Sequence, residues 1–202
     1  MKALTPFVRP GLRVGLLGGS FDPAHAGHVH ITQEALKRFD LDQIWWLVTP
    51  GNPLKARGPA ALDLRMARAK ALMQHPCVHV TDIEDRLGTR FTAETLAALH
   101  ALSRGVNFVW LMGADNLAQL HLWQDWRSIM DTVSVGVLAR PGDRISARTS
   151  KAARIYKHNR IPGKSSHLLG RMDGPRWCFV NVPMLPVSSS EIRESGAWSV
   201  VQ

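Results

Sequence analysis

Two histidines three residues apart, His25 and His28, follow the string Gly18-Gly19-Ser20-Phe21-Asp22-Pro23. The stretch lies between a short apolar run, Val14 to Leu17, and a segment of helical spacing from Val29 through Ile31, Ala35 and Leu36. Imidazole N–H groups placed there can donate hydrogen bonds to phosphate oxygens. A glycine pair lets a phosphate approach the backbone closely, and a helix start adds unpaired N–H groups and the positive end of the helix dipole. The chemistry on offer is the handling of phosphate. A Gly-Gly turn after a first strand can equally be a tight turn and nothing more, so the reading depends on what else the chain carries.

A second such stretch stands near the other end, at Pro186-Val187-Ser188-Ser189-Ser190-Glu191-Ile192-Arg193. Ser188 and Glu191 have the spacing of a capping box, which opens a helix. Arg193 then sits about a turn and a half from the positive helix end, a poor place for a cation. An anion held between the helix start and the guanidinium would relieve that conflict, with bidentate contacts from the arginine.

Taken together, Gly-Ser-Phe-Asp-Pro with His-x-Gly-His and the serine-rich turn ending in Ile-Arg resemble the two signatures of the nucleotidyltransferase superfamily that moves AMP from ATP onto a phosphate. The doubled Gly18-Gly19 followed by Ser20 to His25 is most similar to the bacterial nicotinate-mononucleotide adenylyltransferases. The resemblance runs from Leu12 to Arg193. It implies catalytic roles for His25 and His28, donating to the α- and β-phosphate oxygens. It implies that Gly18, Gly19, Ser20, Phe21, Ser188, Ser189 and Arg193 bind ATP and its phosphates. Gly113 and Asp115, in Gly113-Ala114-Asp115, resemble the family's nucleotide contact. Lys55, after Gly51-Asn52-Pro53-Leu54, and Arg140, before Pro141-Gly142, match phosphate-contact positions. Trp123 stands where the family stacks an indole on the pyridine ring, and Thr92, in Phe91-Thr92-Ala93-Glu94-Thr95-Leu96, stands beside the pyridine nucleotide. Plainer roles stay open: Asp115 as a helix N-cap, Trp123 as a cover over the core, Lys55 as a solvated loop lysine.

The implied reaction transfers AMP from ATP to nicotinate mononucleotide, giving nicotinate adenine dinucleotide and pyrophosphate in NAD biosynthesis. Phosphopantetheine or nicotinamide mononucleotide as acceptor stays open, as does a nucleic-acid-binding module that keeps a nucleotide pocket. Mg²⁺ would come mainly through the substrate phosphates, because the sequence shows no carboxylate cluster to cage it. No metal ligand among the residues is therefore expected. Three departures from the family matter. Phe91 replaces an expected tyrosine, the turn after the second strand lacks a double proline, and only Ser195 to Gln202 follow Glu194 where relatives carry a longer helix. The last bears on a homo-oligomer, which stays open.

Composition agrees with a small enzyme. A chain of 202 residues, 45 % hydrophobic and 20 % charged, fits one domain over 1–202, which the resemblance makes a nucleotidyltransferase domain. A domain of that size buries roughly 70 % of its unfolded surface. No apolar run approaches the ~18 residues that span a bilayer, and Met1 to Pro10 lacks a signal-peptide core, so no membrane partner is expected. Two isolated thiols, Cys77 and Cys178, both read as strand residues, point to a reducing cytoplasmic setting. The net charge of +9 is concentrated: Arg140 to Arg176 holds ten basic and two acidic residues. With Tyr156 the one aromatic inside that block, stacking on single-stranded nucleic acid is not supported. Electrostatic attraction of ATP and a mononucleotide fits as well.

These residues need a scaffold. Apolar runs predict strands at Val14–Leu17, Ile44–Val48, Val78–Thr81, Phe108–Leu111, Val133–Ala139 and Cys178–Val182. Helical spacing falls at His28–Phe39, Ala61–Gln74, Ala93–Ser103, Asn116–Met130 and Ala147–His158. The alternation predicts an α/β fold, a doubly wound, Rossmann-like parallel sheet. Its ligands bind at the carboxyl ends of the strands where the winding reverses, with the first strand bordering that point. Trp45-Trp46 in the second strand are expected in core and sheet-edge packing.

Overall fold

The computed structural model describes residues 4–51, 58–139, 144–172, 174–183 and 187–198. Seven parallel strands run β1 (Arg13–Gly19), β2 (Gln43–Val48), β3 (Val78–Thr81), β4 (Asn107–Gly113), β5 (Ser134–Ala139), β6 (Arg160–Ile161) and β7 (Trp177–Asn181). Their order across the sheet is β3-β2-β1-β4-β5-β7-β6. The winding reverses between β1 and β4, which pair through Leu17 and Leu111, so the first strand does border the switch point.

Strands covered on both faces read as unbroken apolar runs rather than alternating ones. In β2, Trp45 and Leu47 point into one core with Phe108 and Trp110, while Ile44, Trp46 and Val48 point into the other with Val109 and Leu111. Helices α1 (Ala26–Arg38) and α2 (Leu62–Leu72) pack on that second face; the first is covered by α4 (Thr92–Leu102), α5 (Ala114–Gln119) and α6 (Trp126–Thr132). Both tryptophans of β2 are fully buried in the core and neither packs at a sheet edge, because β2 is an inner strand between β3 and β1.

All six strands read from the sequence form, within two residues at each end. β6 and the five-residue helix α3 (Ile83–Leu87) are additions too short to leave a periodic signal. Two long helical readings are broken. Asn116–Met130 splits at Trp123 to Asp125, where Trp123 is extended (ψ 146°) and Asp125 is left-handed (φ +48°). Ala147–His158 splits into α7 (Arg144–Arg148) and α8 (Lys151–Ile155). There the Ser150 hydroxyl caps the new helix by accepting from the Ala153 N–H at 3.3 Å. Cys77 lies half-buried in the turn before β3 instead of in a strand, whereas Cys178 is buried in β7. Among the described residues no helix is long and apolar enough to cross a membrane.

Candidate active site

β1 delivers Gly18 and Gly19 to the switch point, and Gly18 is required there by packing. A Cβ at that position would fall 2.6 Å from Cη2 of Trp110, whose indole lies beneath the loop from β4. The loop then turns through Phe21 in the left-handed region (φ +46°), a strained setting for a residue with a side chain. Its fully buried ring lies stacked on Trp46 with centroids 4.7 Å apart. That stacking holds the loop shape.

His25 is the N-cap of α1. Its Nδ1 accepts from the Gly27 N–H at 3.1 Å, and Nδ1 of His28 accepts from the His25 N–H at 3.2 Å. The ring centroids are 3.9 Å apart. A neutral imidazole whose Nδ1 accepts carries its proton on Nε2. Both rings therefore become Nε2–H donors, with tautomers fixed by backbone amides. The sequence predicts helix N–H groups open to a phosphate, but the Gly27 N–H is taken up by His25.

The position of His28 is fixed further by Thr32, whose hydroxyl donates to the His28 carbonyl at 2.8 Å and accepts from Nε1 of Trp46 at 2.7 Å. Arg65 of α2 supports the same region. Fully buried, it donates from Nε to the Ala60 carbonyl (2.7 Å), from Nη1 to those of Ser20 (2.7 Å) and Thr49 (2.8 Å), and from Nη2 to that of Pro50 (3.2 Å). Burial lowers its guanidinium pKa. This one side chain ties the exit of β1 to the exit of β2.

The C-terminal motif folds against the histidine loop. Ser188 caps α9 (Ser189–Glu194) as expected, accepting from the Glu191 N–H at 3.2 Å while Glu191 accepts from the Ser188 N–H at 3.0 Å. Ser189 Oγ donates to the Pro23 carbonyl at 3.0 Å. Arg193 donates from Nη1 to the Asp22 carbonyl and from Nη2 to Ser190 Oγ at 3.0 Å. Nη1 also lies 3.9 Å from the Asp22 carboxylate. The sequence places Arg193 near the positive helix end and calls for an external anion to balance it, but α9 is only six residues long, so Arg193 stands in its last turn, the end that favours a cation, and Asp22 supplies protein oxygens to it.

Gly113 ends β4 beside β1 and is the N-cap of α5. Asp115, the second helical residue and not its cap, is exposed, and its Oδ1 folds over Gly113 where a Cβ would collide. Trp123 is half-buried at the end of the 3₁₀ turn Leu120–Leu122, edge-on to Trp110 with centroids 6.5 Å apart and planes at 84°. Trp110 thus touches both the loop after β1 and the indole read as the pyridine platform. Thr92 is the first residue of α4, on the side where the strands end, and Glu94 accepts from the N–H groups of Arg90 (3.2 Å) and Phe91 (3.4 Å) at that helix start. Lys55 and Arg140 lie outside the described residues.

The structure thus gathers Gly18, Gly19, Ser20, Phe21, His25, His28, Ser188, Ser189 and Arg193 around one loop, with Gly113 and Asp115 at the neighbouring strand end. Sequence reasoning missed Arg65, Trp110 and Asp22. Arg65 had a signal, because it shares a helical face with the apolar Met66, Ala69 and Met73. Trp110 had none, being one aromatic within an apolar strand.

A cytidylyltransferase-like family model matches residues 16–195. A curated relative from Ruegeria pomeroyi, named "Probable nicotinate-nucleotide adenylyltransferase", is 68 % identical over 202 residues, covering 100 % of this chain and 95 % of the relative. One of the same name from Parvibaculum lavamentivorans is 47 % identical over 95 % of this chain and 96 % of its own length. Among solved structures, nicotinic acid mononucleotide adenylyltransferase of Plasmodium falciparum, complexed with NaAD, shares the fold with a TM-score of 0.69. It does so at 17 % identity, over 91 % of this chain and 83 % of that one. On this sequence identity the chain belongs to the cytidylyltransferase-like family and, within it, to the nicotinate-nucleotide adenylyltransferases.

Proposed function

We propose that one domain carries the whole reaction: transfer of AMP from ATP to nicotinate mononucleotide. A 5′-phosphate oxygen of the mononucleotide attacks the α-phosphorus of ATP in line. The bond from that phosphorus to the oxygen bridging to the β-phosphate breaks, and pyrophosphate leaves with the electron pair. The attacking phosphate is already an anion, so no general base is needed. Catalysis reduces to placing two anions together and stabilising charge on the transferring group.

The observation that carries this reading is the histidine pair, locked by backbone N–H groups into the Nε2–H form at the switch point. Such donors suit the α- and β-phosphate oxygens without a net charge of their own. Gly18, Gly19, Ser20 and Phe21 shape the loop under the triphosphate; Ser188, Ser189 and Arg193 close over it, with Lys55 and Arg140 as further cations. Gly113 and Asp115 face the nucleotide, the carboxylate accepting from ribose hydroxyls. Trp123 and Thr92 form the pyridine side. Mg²⁺ would neutralise charge as a companion of the triphosphate; among the described residues no group of three histidine, cysteine, aspartate or glutamate side chains could hold it. Free thiols at Cys77 and Cys178 fit a cytoplasmic place of work.

Pyrophosphate release with ATP and each acceptor in turn tests the reading. The nicotinate form should be preferred over the amide by roughly 30- to 1,000-fold in specificity constant. That range corresponds to about 2–4 kcal/mol from charge-assisted hydrogen bonds to a carboxylate and the unpaired donor a carboxamide leaves. Equal constants would overturn the acceptor but not adenylyl transfer; no release with any acceptor would overturn both.

A further inference from the structure

Beyond α9 the chain turns at Gly196, in the left-handed region at φ +76°, and returns to the histidine loop. There Nε1 of Trp198 donates to Oδ1 of Asp22 at 2.8 Å, across 176 residues of sequence. Asp22 is only 8 % exposed. A carboxylate so far from water needs hydrogen-bonding partners to remain charged without cost. It has the Trp198 N–H on one oxygen, the Arg193 guanidinium 3.9 Å from the other, and the charge of the buried Arg65 guanidinium, which donates its own hydrogen bonds to backbone carbonyls.

Arg193 has two claims on it. Under the function proposed above, on which this inference rests, its guanidinium serves the ATP phosphates; in the structure it donates to the Asp22 carbonyl and faces the Asp22 carboxylate. The indole N–H has no such alternative duty. It is a neutral donor that adds nothing to the charge met by the triphosphate. A buried carboxylate held by it need not compete with nucleotide for the guanidinium.

We propose that Trp198 is a positioning residue: its N–H holds the Asp22 carboxylate, keeping the histidine loop in shape and leaving Arg193 available to the ATP phosphates. The residues after α9 thereby belong to the working of the site. Without the N–H, Asp22 would draw more heavily on Arg193, and ATP would have to displace that contact. The mononucleotide side, built on Trp123 and Thr92, would be untouched.

Trp198→Phe keeps an aromatic ring and removes the donor. The expected result is a KM for ATP raised about tenfold, the scale of one charge-assisted hydrogen bond at 1.4 kcal/mol per decade. The KM for nicotinate mononucleotide should stay within about twofold of the parent on the same accounting. Amide hydrogen exchange across residues 21–28, measured on protein without nucleotide, should become faster. Trp198→His, which retains a ring N–H, should recover part of both effects. In an Asp22→Asn background Trp198→Phe should add nothing, because the charge it serves is gone. An equal rise in the KM for ATP in both backgrounds, or unchanged exchange together with an unchanged KM, would overturn the proposal. If Asp22→Asn does not fold, the Phe and His variants decide between the same outcomes. Faster exchange in a protein whose parent releases no pyrophosphate would leave the loop contact standing and overturn the ATP reading instead.

Discussion

His28 is held by several neighbours: the His25 N–H on Nδ1, the Phe21 ring at 4.8 Å, and Thr32 on its own carbonyl. In the role proposed for it, such a side chain would meet its substrate with little left to reorganise, which is where electrostatic catalysis gains most. His28→Ala should therefore keep the fold and lower kcat by ~10²–10³-fold, about 2.7–4 kcal/mol, as for loss of one preorganised donor. A folded variant, verified by circular dichroism, that turned over at the parent rate would remove His28 from the chemistry. The residues that could be read from the sequence are those with a local pattern: the glycines, the histidine pair, the Ser188–Glu191 capping box and Arg193. Trp110 and Asp22 act through contacts between distant strands and loops; nothing near Trp110 marks it, and the motif that contains Asp22 does not disclose its partners at the other end of the chain. The partner of Asp22, Trp198, was likewise invisible, because a lone indole in a short tail has no period to belong to.

At the scale of elements, strands were legible because burial on both faces makes them continuous apolar runs, and breaks in the helices were not. The interruptions at Asp125 and at Ser150 depend on a left-handed backbone and a single hydroxyl cap, features weaker than the apolar spacing that runs through them. The short helix α3, equally invisible in the sequence, hides an ionisable group. Glu84 on α3 is 5 % exposed, and burial pushes its pKa up to about 7, opposed by a weak hydrogen bond from Thr95 of α4 at 3.4 Å. The folded state thus holds this proton more tightly than the unfolded chain, whose value is about 4.3. The group's contribution to stability is largest below the unfolded value, declines as pH rises toward 7, and then levels off. The total is on the order of 3 kcal/mol. Glu84→Gln, which cannot ionise, should melt close to the parent near pH 4 and several degrees above it at pH 8, given roughly 2–4 °C per kcal/mol in a chain of this size. A melting difference that does not change between those pH values would show that Glu84 ionises without penalty.

Over the whole molecule the charge is lopsided. Residues 144–172 contain no Asp or Glu, and among the described cations there only Arg171 pairs with a carboxylate, that of Asp40 at 2.6 Å. α7 packs on α5, whose first residues include Asp115, so this basic face flanks the site. Neutralising Arg148, Lys151 and Arg154 together should lower kcat/KM for ATP about three- to tenfold at low ionic strength, the lower range of electrostatic steering. The loss should vanish near 1 M salt, where screening shortens to ~3 Å. A loss independent of salt would assign these residues to structure instead. Another property of the whole chain comes from the pairing of its two ends. The Asp22 and Pro23 carbonyls receive hydrogen bonds from Arg193 and Ser189, the latter pair 166 residues apart. Chains are synthesised from the N-terminus at about 5–20 residues per second, so these two contacts must wait on the order of ten to thirty seconds after the loop itself is made. Strands β1, β2 and β4 can pair during that interval, but the histidine loop is finished last. A growing chain would thus acquire its core well before its activity, and one broken off before Ser188 would fold around a sheet whose catalytic loop had never been closed.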